Sequence, residues 1–131
     1  RLAVIDLSVG RDADERLVLV NPTMTEQRGR VTVEEGCLSF PGLFTTLSRP
    51  RSVRVEAVDG WGEAVSVEGE GLLAQALCHE LDHLDGRLII HHLKGLKRRM
   101  FLRRIARLRE SGAWTGAYEP GPTAPATASR T

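Results

Sequence analysis

Residues 71–86 have the sequence GLLAQALCHELDHLDG, which predicts the helix around which the rest of the chain is organised. Its apolar residues recur at roughly helical spacing, at Leu72, Leu73, Ala76, Leu77, Leu81 and Leu84. Gly86 is a typical residue for ending a helix in the left-handed conformation. We therefore predict a helix over about residues 71–85.

The pentapeptide His79-Glu80-Leu81-Asp82-His83 inside this helix has the HExxH pattern of many metalloenzymes. Because positions four apart lie on one helix face, His79 and His83 can bind one metal ion. Glu80 can reach a water molecule at that ion and act as general base, then as general acid. The same pattern also occurs in structural helices whose histidines are surface groups, so a third ligand is needed to decide.

Candidates for the third ligand lie on both sides of the helix. His91 and His92 follow it, where many zinc proteases take their third ligand, in a stretch predicted to be extended over residues 87–91. Cys37 precedes His79 by 42 residues. One thiolate and two imidazoles with an open fourth position suit a catalytic metal, and a metal favours the thiolate form of cysteine.

The neighbours of Cys37 favour a loop over a strand interior. Gly36 allows close backbone approach, and Pro41-Gly42 turns the chain. A free cysteine in a small domain is commonly an inert buried thiol. We expect that of Cys78, which lies about 100° around the helix from His79, whereas the loop setting of Cys37 favours metal binding.

The segments Glu35-Gly36-Cys37-Leu38-Ser39 and His79-Glu80-Leu81-Asp82-His83 resemble, in sequence, order and spacing, the second and third signature motifs of the peptide deformylases. The resemblance covers residues 1 to about 109. It implies a metal-dependent hydrolase that removes the formyl group from the N-terminal formylmethionine of nascent polypeptides. It also implies ferrous iron as the metal, with zinc or nickel as substitutes, since thiolate and imidazole ligands by themselves suit both zinc and iron.

The resemblance assigns roles at the reaction centre. Cys37, His79 and His83 would hold the metal. Glu80 would activate the attacking water and later protonate the leaving amine. The backbone N–H of Leu38 would help to hold the oxyanion that forms at the formyl carbon.

The resemblance also implies a substrate groove. Gly36 and its neighbours would pair with the substrate in a strand-like way. The apolar pocket for the methionine side chain is expected to be lined by four residues: Val33, Leu72, Ala76 and His79.

The family places an arginine near position 49. We expect Arg49 to pair with Glu35 or Asp82 and so brace the cysteine segment against the helix, since such outer contacts orient metal ligands. A solvated surface arginine is the alternative. His91 and His92 stand where the family more often has an acidic residue followed by a variable one, and we expect both to be exposed loop residues.

The first motif of the family, GxGLAAxQ, does not occur in residues 1–131 and is expected just before Arg1, together with an N-terminal helix. Its glutamine side chain is the second oxyanion donor of the family. Because loss of one such donor typically costs about 10²–10³ in turnover, we expect the 131-residue chain alone to be poorly active. The absence of this motif leaves a catalytically impaired or inactive ribosome-associated homologue as one alternative. A HExxH metallopeptidase is the other, and it would need its third ligand after His83.

The order of the predicted elements indicates an α+β fold, with antiparallel strands packed around the HExxH helix and a basic C-terminal helix. Strands are predicted at residues 2–7, 17–21, 23–27, 31–34, 53–58 and 64–68, the second ending at Pro22 and the last two joined at Asp59-Gly60. A second helix is predicted over residues 96–109, with its buried face formed by Leu96, Met100, Ile105 and Leu108. The catalytic domain is expected over residues 1–110, and a disordered Ala/Pro/Thr-rich tail over residues 111–131.

Charge divides the chain into an acidic body and a basic segment. Residues 1–93 have nine Lys/Arg against fifteen Asp/Glu, whereas residues 94–110 have eight against one. A charge run is usually a solvated face, but this excess suits a phosphate backbone. The family's C-terminal helix is associated with ribosome docking, so the resemblance implies contact between residues 94–110 and rRNA.

Composition fits an ordinary soluble domain, with 41% hydrophobic and 27% charged residues. No apolar run approaches 18 residues, so we expect no membrane segment. Two cysteines argue against a disulfide framework and indicate a reducing compartment. Bacterial cytoplasm is the expected location, and an organelle is the alternative because the N-terminus of the mature protein is not in view.

Overall fold

The computed structural model describes residues 1–113, which form an α+β fold with two antiparallel sheets, so the predicted fold class is confirmed. The strands are β1 Leu2–Asp6, β2 Arg16–Arg28, β3 Val31–Gly36, β4 Phe44–Arg49, β5 Ser52–Val58 and β6 Ala64–Glu70. The helices are α1 Gly71–Leu84 and α2 Gly95–Glu110, with short 3-10 helices at Ala13–Glu15 and Ile89–His92.

The larger sheet has the strand order β1-β2-β5-β6, and β3 and β4 form a separate hairpin. Helix α1 covers one face of the larger sheet, because the apolar stripe predicted from its sequence needs an apolar surface to pack against. Eight buried residues form this first core: Ile5, Leu19, Val53, Val55, Ala74, Leu77, Cys78 and Leu81. Cys78 is therefore a buried thiol as predicted, and burial raises its pKa.

Helix α1 has nearly the predicted bounds. It ends at the cap residue Asp85, whose N–H donates to the carbonyl of Asp82. Gly86 then has φ of 72°, a conformation that costs little only for glycine. The helix that contains the HExxH pattern thus ends just before Gly86, as the sequence predicted.

Strand β2 does not end at Pro22, so that prediction is wrong. The strand continues to Arg28 because a bulge lies at the proline: Val20 pairs with Val58 and Thr23 with Glu56, which leaves one extra residue on β2. Asn21 takes a positive φ of 51° there. A proline lacks the N–H that a ladder needs, and a bulge removes that demand.

Two further assignments differ from the prediction. Strand β4 was not among the predicted strands, although it pairs with β3 over its whole length. The stretch predicted as extended over residues 87–91 instead contains the 3-10 helix Ile89–His92, in which Nδ1 of His91 accepts a hydrogen bond from the backbone N–H of Leu88. A side-chain cap of this kind has no periodic signal in a sequence.

Helix α2 packs on a second core that the β3–β4 hairpin and its connecting loop help to build. Seven buried residues form it: Phe40, Leu43, Leu47, Ile89, Ile90, Leu93 and Phe101. The predicted buried face of α2 is half wrong, because Leu96 and Met100 are 61% and 56% exposed. Phe101 is the residue that enters the core, and its ring contacts that of Phe40 edge to face at a centroid distance of 5.4 Å.

No helix within residues 1–113 is long and apolar enough to cross a membrane. Ser111 and Gly112 form a turn after α2. Most of the predicted tail, from residue 114 onward, lies outside the described residues.

Replacing Phe101 with Ala should lower the free energy of unfolding by about 3–5 kcal/mol, since it removes a ring that is 3% exposed and leaves a cavity beside Phe40. Met100→Ala is the matched control on the same helix turn and should change it by less than about 0.5 kcal/mol. Urea unfolding followed by circular dichroism measures both. Equal losses in the two variants would show that α2 is not held by Phe101.

Candidate metal centre

The cysteine loop, residues 37–43, connects β3 to β4 and begins directly after the last ladder pair, Gly36 with Phe44. A Cβ at Gly36 would lie 2.7 Å from the Phe44 ring, so a larger residue there would have to displace that exposed ring. The carbonyl of Cys37 accepts a hydrogen bond from the N–H of Phe40 at 2.8 Å, which turns the chain. Phe40 then enters the second core and anchors the loop.

Three side chains from this loop and from α1 converge. Sγ of Cys37 lies 3.4 Å from Nε2 of His83, and the two Nε2 atoms of His79 and His83 lie 3.0 Å apart. One donor atom from each of the three residues lies within 4.8 Å of the others. All three are half-buried, so the cluster is accessible and yet partly screened from water.

The histidine rings are oriented by their outer nitrogens. Nδ1 of His79 lies 2.6 Å from Oε1 of Glu35, and Nδ1 of His83 lies 3.2 Å from the carbonyl oxygen of Arg87. Both partners are acceptors, so each Nδ1 carries the hydrogen and each neutral ring presents the lone pair of Nε2 to the cluster. One thiol and two imidazole nitrogens aimed in this way fit a divalent ion such as zinc or iron.

Behind His79 lies a buried ion-pair network. Arg49 donates two hydrogen bonds to Glu35, from Nη2 at 2.7 Å and from Nε at 3.0 Å, and a third from Nη1 to Asp82 at 2.6 Å. Burial by itself would raise the pKa of Glu35, but the hydrogen bonds from His79 and Arg49 outweigh it and lower the pKa to about 2. The hydrogen bond to Glu35 in turn raises the pKa of His79. Arg49 therefore contacts both of the residues that the sequence offered as alternatives.

Two residues predicted to act on the substrate, Glu80 beside His79 on α1 and Leu38 beside Cys37 in the loop, have unused hydrogen-bonding groups. Within residues 1–113, the carboxylate of Glu80 makes no ion pair and accepts no hydrogen bond, and the N–H of Leu38 donates none. A cavity of about 380 Å³ opens beside Cys37. Its lining residues are Gly36, Cys37, Leu38, Phe40, Pro41, Gly42, Leu43, Phe44 and His79.

The residues predicted for the methionine pocket are only partly at this cavity. His79 lines it, whereas Val33, Leu72 and Ala76 do not. Ala76 packs against the first core, and Leu72 is exposed. Gln75 donates a hydrogen bond to the carbonyl of Glu34 and thereby joins α1 to β3.

The downstream histidines are not part of the cluster. Nδ1 of His91 is bound to the backbone of Leu88, and Nε2 of His92 lies 2.7 Å from Oδ2 of Asp82. His92 is thus a side chain of the site's surroundings that sequence reasoning missed. Phe44 at the cavity was missed because β4 was not predicted, and Leu43 in the cysteine loop was missed as well.

An α+β fold that places a HExxH helix against a cysteine loop has the architecture of a metal-dependent hydrolase. The profile of the family described as polypeptide deformylase matches residues 1–99. The chain belongs to this family.

Individual relatives agree with that assignment. The chain is 45% identical over 114 residues to a peptide deformylase of Acidobacterium capsulatum, covering 87% of this chain and 67% of the relative. It is 44% identical over 105 residues to one of Thermodesulfovibrio yellowstonii, covering 80% and 64%. The chain thus spans about two thirds of the length of these relatives.

Solved structures show the same fold. A peptide deformylase from Legionella pneumophila matches with a TM-score of 0.77 at 39% identity, over 86% of this chain and 66% of that one. The peptide deformylase from Thermus thermophilus matches with a TM-score of 0.75 at 36% identity, over 89% and 68%.

Replacing Cys37 with Ala should weaken zinc binding by more than about 100-fold, because it removes a donor atom. Loss of a residue that only hydrogen-bonds to a ligand weakens metal binding by about 10- to 100-fold, so loss of the ligand itself should cost more. Cys78→Ala is the control, since this thiol faces the first core. Competition with a chelator and elemental analysis measure affinity and stoichiometry. Retention of the metal by Cys37→Ala would place the third ligand elsewhere and contradict the assignment of this cluster.

Proposed function

We propose that this chain carries the reaction centre of a peptide deformylase, which hydrolyses the formyl amide of N-formylmethionine at the start of nascent polypeptides. The observation that carries the proposal is the convergence of Cys37, His79 and His83, whose donor atoms lie within 4.8 Å of one another beside an open cavity. Membership of the polypeptide deformylase family supports the choice of substrate.

The same three residues are proposed to hold a divalent ion, with Cys37 as thiolate and both histidines through Nε2. Ferrous iron is the proposed ion, with zinc or nickel as substitutes, and the mixed sulfur and nitrogen donor set supports each of them. When bound, such an ion supplies positive charge that polarises the formyl carbonyl and lowers the pKa of water.

The chain's own groups then divide the chemistry. Glu80 accepts a proton from the attacking water at its carboxylate, while the water oxygen forms a bond to the formyl carbon. The N–H of Leu38 donates to the oxyanion on that carbon. Glu80 passes the proton to the amide nitrogen, the carbon–nitrogen bond breaks, and formate and a free α-amine leave. The unused groups of Glu80 and Leu38 support these roles.

The peptide part of the substrate is proposed to align along β3. Within residues 1–113, β3 pairs with β4 on one edge and with no strand on the other. A peptide in extended conformation can add to such an edge through backbone hydrogen bonds at Gly36 and its neighbours. If the peptide runs antiparallel to β3, its N-terminal end lies near Cys37, which follows Gly36.

The methionine side chain is proposed to pack between β3 and α1. Leu72, Ala76 and His79 share one helix face at spacings of four and three residues. Val33 and Glu35 share one side of β3, and Glu35 contacts His79. These relations support an apolar surface next to the metal centre.

Glu80→Gln should lower the rate of formate release from a formyl-Met tripeptide by about 10²–10⁴-fold, because the amide cannot accept the proton. The test uses the chain loaded with ferrous iron under nitrogen, and metal content is measured alongside. An acetyl-Met tripeptide is the control substrate. Equal rates for the wild-type and variant chains would contradict the proposal even if both rates were low.

Helix α2 is proposed to contact ribosomal RNA. All eight Lys/Arg between Lys94 and Arg109 are exposed, and within residues 1–113 none pairs with an acidic side chain. Lys97 donates to the backbone and hydroxyl oxygens of Thr46, which holds the first turn of the helix on β4. The remaining cations are free to meet phosphates, and such contacts release counterions.

Replacing Arg103 and Arg107 together with Gln should weaken ribosome binding and lower the slope of log affinity against log salt by about 2 at most. The double variant of Arg11 and Arg51, which are exposed and lie outside the helix, is the matched control and should leave the slope unchanged. Co-sedimentation with ribosomes across a salt series measures both. Binding that salt does not affect would contradict phosphate contact.

A further inference from the structure

We propose that His92 is a positioning residue of the metal centre, acting on the ligand His79 through its hydrogen bond to Asp82. This inference rests on the proposed binding of metal by Cys37, His79 and His83. It concerns a side chain that the sequence predicts to be an ordinary exposed histidine.

A continuous chain of short contacts joins His92 to the centre. Nε2 of His92 lies 2.7 Å from Oδ2 of Asp82, and the same oxygen lies 2.6 Å from Nη1 of Arg49. Arg49 donates hydrogen bonds to both carboxylate oxygens of Glu35, and Oε1 of Glu35 lies 2.6 Å from Nδ1 of His79. Each member therefore constrains the orientation of the next.

The hydrogen bond direction follows from the chemistry of Asp82. An ionised carboxylate only accepts, so His92 donates from Nε2. Oδ2 of Asp82 is then held from two sides, by His92 and by Arg49. The terminal torsion of an aspartate is broad when nothing restrains it, so two donors on one oxygen restrict the direction from which Asp82 holds Arg49.

The contact of His92 with Asp82 is exposed, but it connects to a buried network. The exposed fraction of the side chain falls from 30% for His92 to 15% for Asp82 and 5% for Arg49. His92 is thus the exposed end of a chain of contacts whose other end, at Arg49, is buried. An exposed pair of this kind would contribute little, whereas a contact that orders a buried network acts on the metal ligands.

The backbone under His92 is rigid enough to present the ring. His92 ends the 3-10 helix Ile89–His92, whose first two residues are buried in the second core. His91 caps the same turn through its bond to Leu88. His91 and His92 therefore have separable tasks: one stabilises the turn, and the other reaches α1.

Two amide variants of His92 test the proposal. Gln places an amide nitrogen near the position of Nε2, and Asn places it near Nδ1, so only Gln can donate to Asp82. His92→Asn should weaken zinc binding about tenfold and change the visible absorption of the cobalt-loaded chain, as loss of an outer contact does. His92→Gln should retain affinity within about threefold. Chelator competition and cobalt spectroscopy measure these effects without relying on turnover.

Controls separate positioning from folding. His91→Ala removes the cap and should lower the unfolding midpoint without changing zinc affinity. In an Asp82→Asn background, His92→Asn should have no further effect on affinity, because the two residues act in series.

Three results would overturn the inference: equal affinity of His92→Asn and wild type, equal loss in the Asn and Gln variants, or full additivity with Asp82→Asn. A wild-type chain that binds neither zinc nor cobalt would instead overturn the proposed metal centre, and the inference with it.

Discussion

The buried ion pair between Arg49 and Glu35 is the constraint on which the candidate metal centre depends. Glu35 lies on β3, directly before Gly36 and Cys37, and Arg49 ends β4. The third hydrogen bond of Arg49 reaches Asp82 on α1, so one guanidinium joins the hairpin to the helix. Together with the contact of His79 with Glu35, that link fixes the cysteine relative to the two histidines.

The ion-pair network favours one position of the hairpin relative to α1 more than it raises the free energy of unfolding. Burying an ion pair costs several kcal/mol of desolvation per charge, and the attraction between the partners roughly offsets it. Removal of one partner, however, leaves a buried charge unpaired at a cost of about 3–5 kcal/mol. The network therefore contributes little to overall stability but strongly disfavours any structure in which the hairpin shifts relative to α1. Positional precision of this kind is what a ligand set drawn from two elements requires.

Sequence reasoning succeeded where a pattern has a local cause. The bounds of α1, the hairpin of β5 and β6 and the burial of Cys78 follow from apolar period, turn residues and helix angle. The resemblance to the peptide deformylases also led to Cys37, His79 and His83, which the structure brings together, and to the contacts of Arg49. Neither the sequence pattern nor the resemblance indicated that β2 would continue past Pro22. The bulge that allows this depends on pairing with β5 and not on the proline itself.

Contacts between distant segments are what the sequence could not supply. Phe101 appears on α2 among many cations, and its burial depends on Phe40, which lies 61 positions earlier. The sequence around His92 indicates an ordinary loop histidine, and only the folded structure shows its contact with Asp82. The role of each residue depends on a contact with a residue distant in sequence. The hydrophobic periodicity of the local sequence therefore could not predict it.

The contact between Phe40 and Phe101 has a further consequence for how the site and the basic helix are arranged. Phe40 belongs to the cysteine loop, and Phe101 lies at the middle of α2. Since packed aromatic rings in a core do not slide freely, the direction of α2 relative to Cys37 is set by the interior of the protein. A ribosome bound at the exposed cations of α2 would then hold the cavity beside Cys37 in a defined orientation. For the proposed activity on chain ends as they emerge, that fixed geometry would raise the local concentration of substrate without any contact between α2 and the peptide.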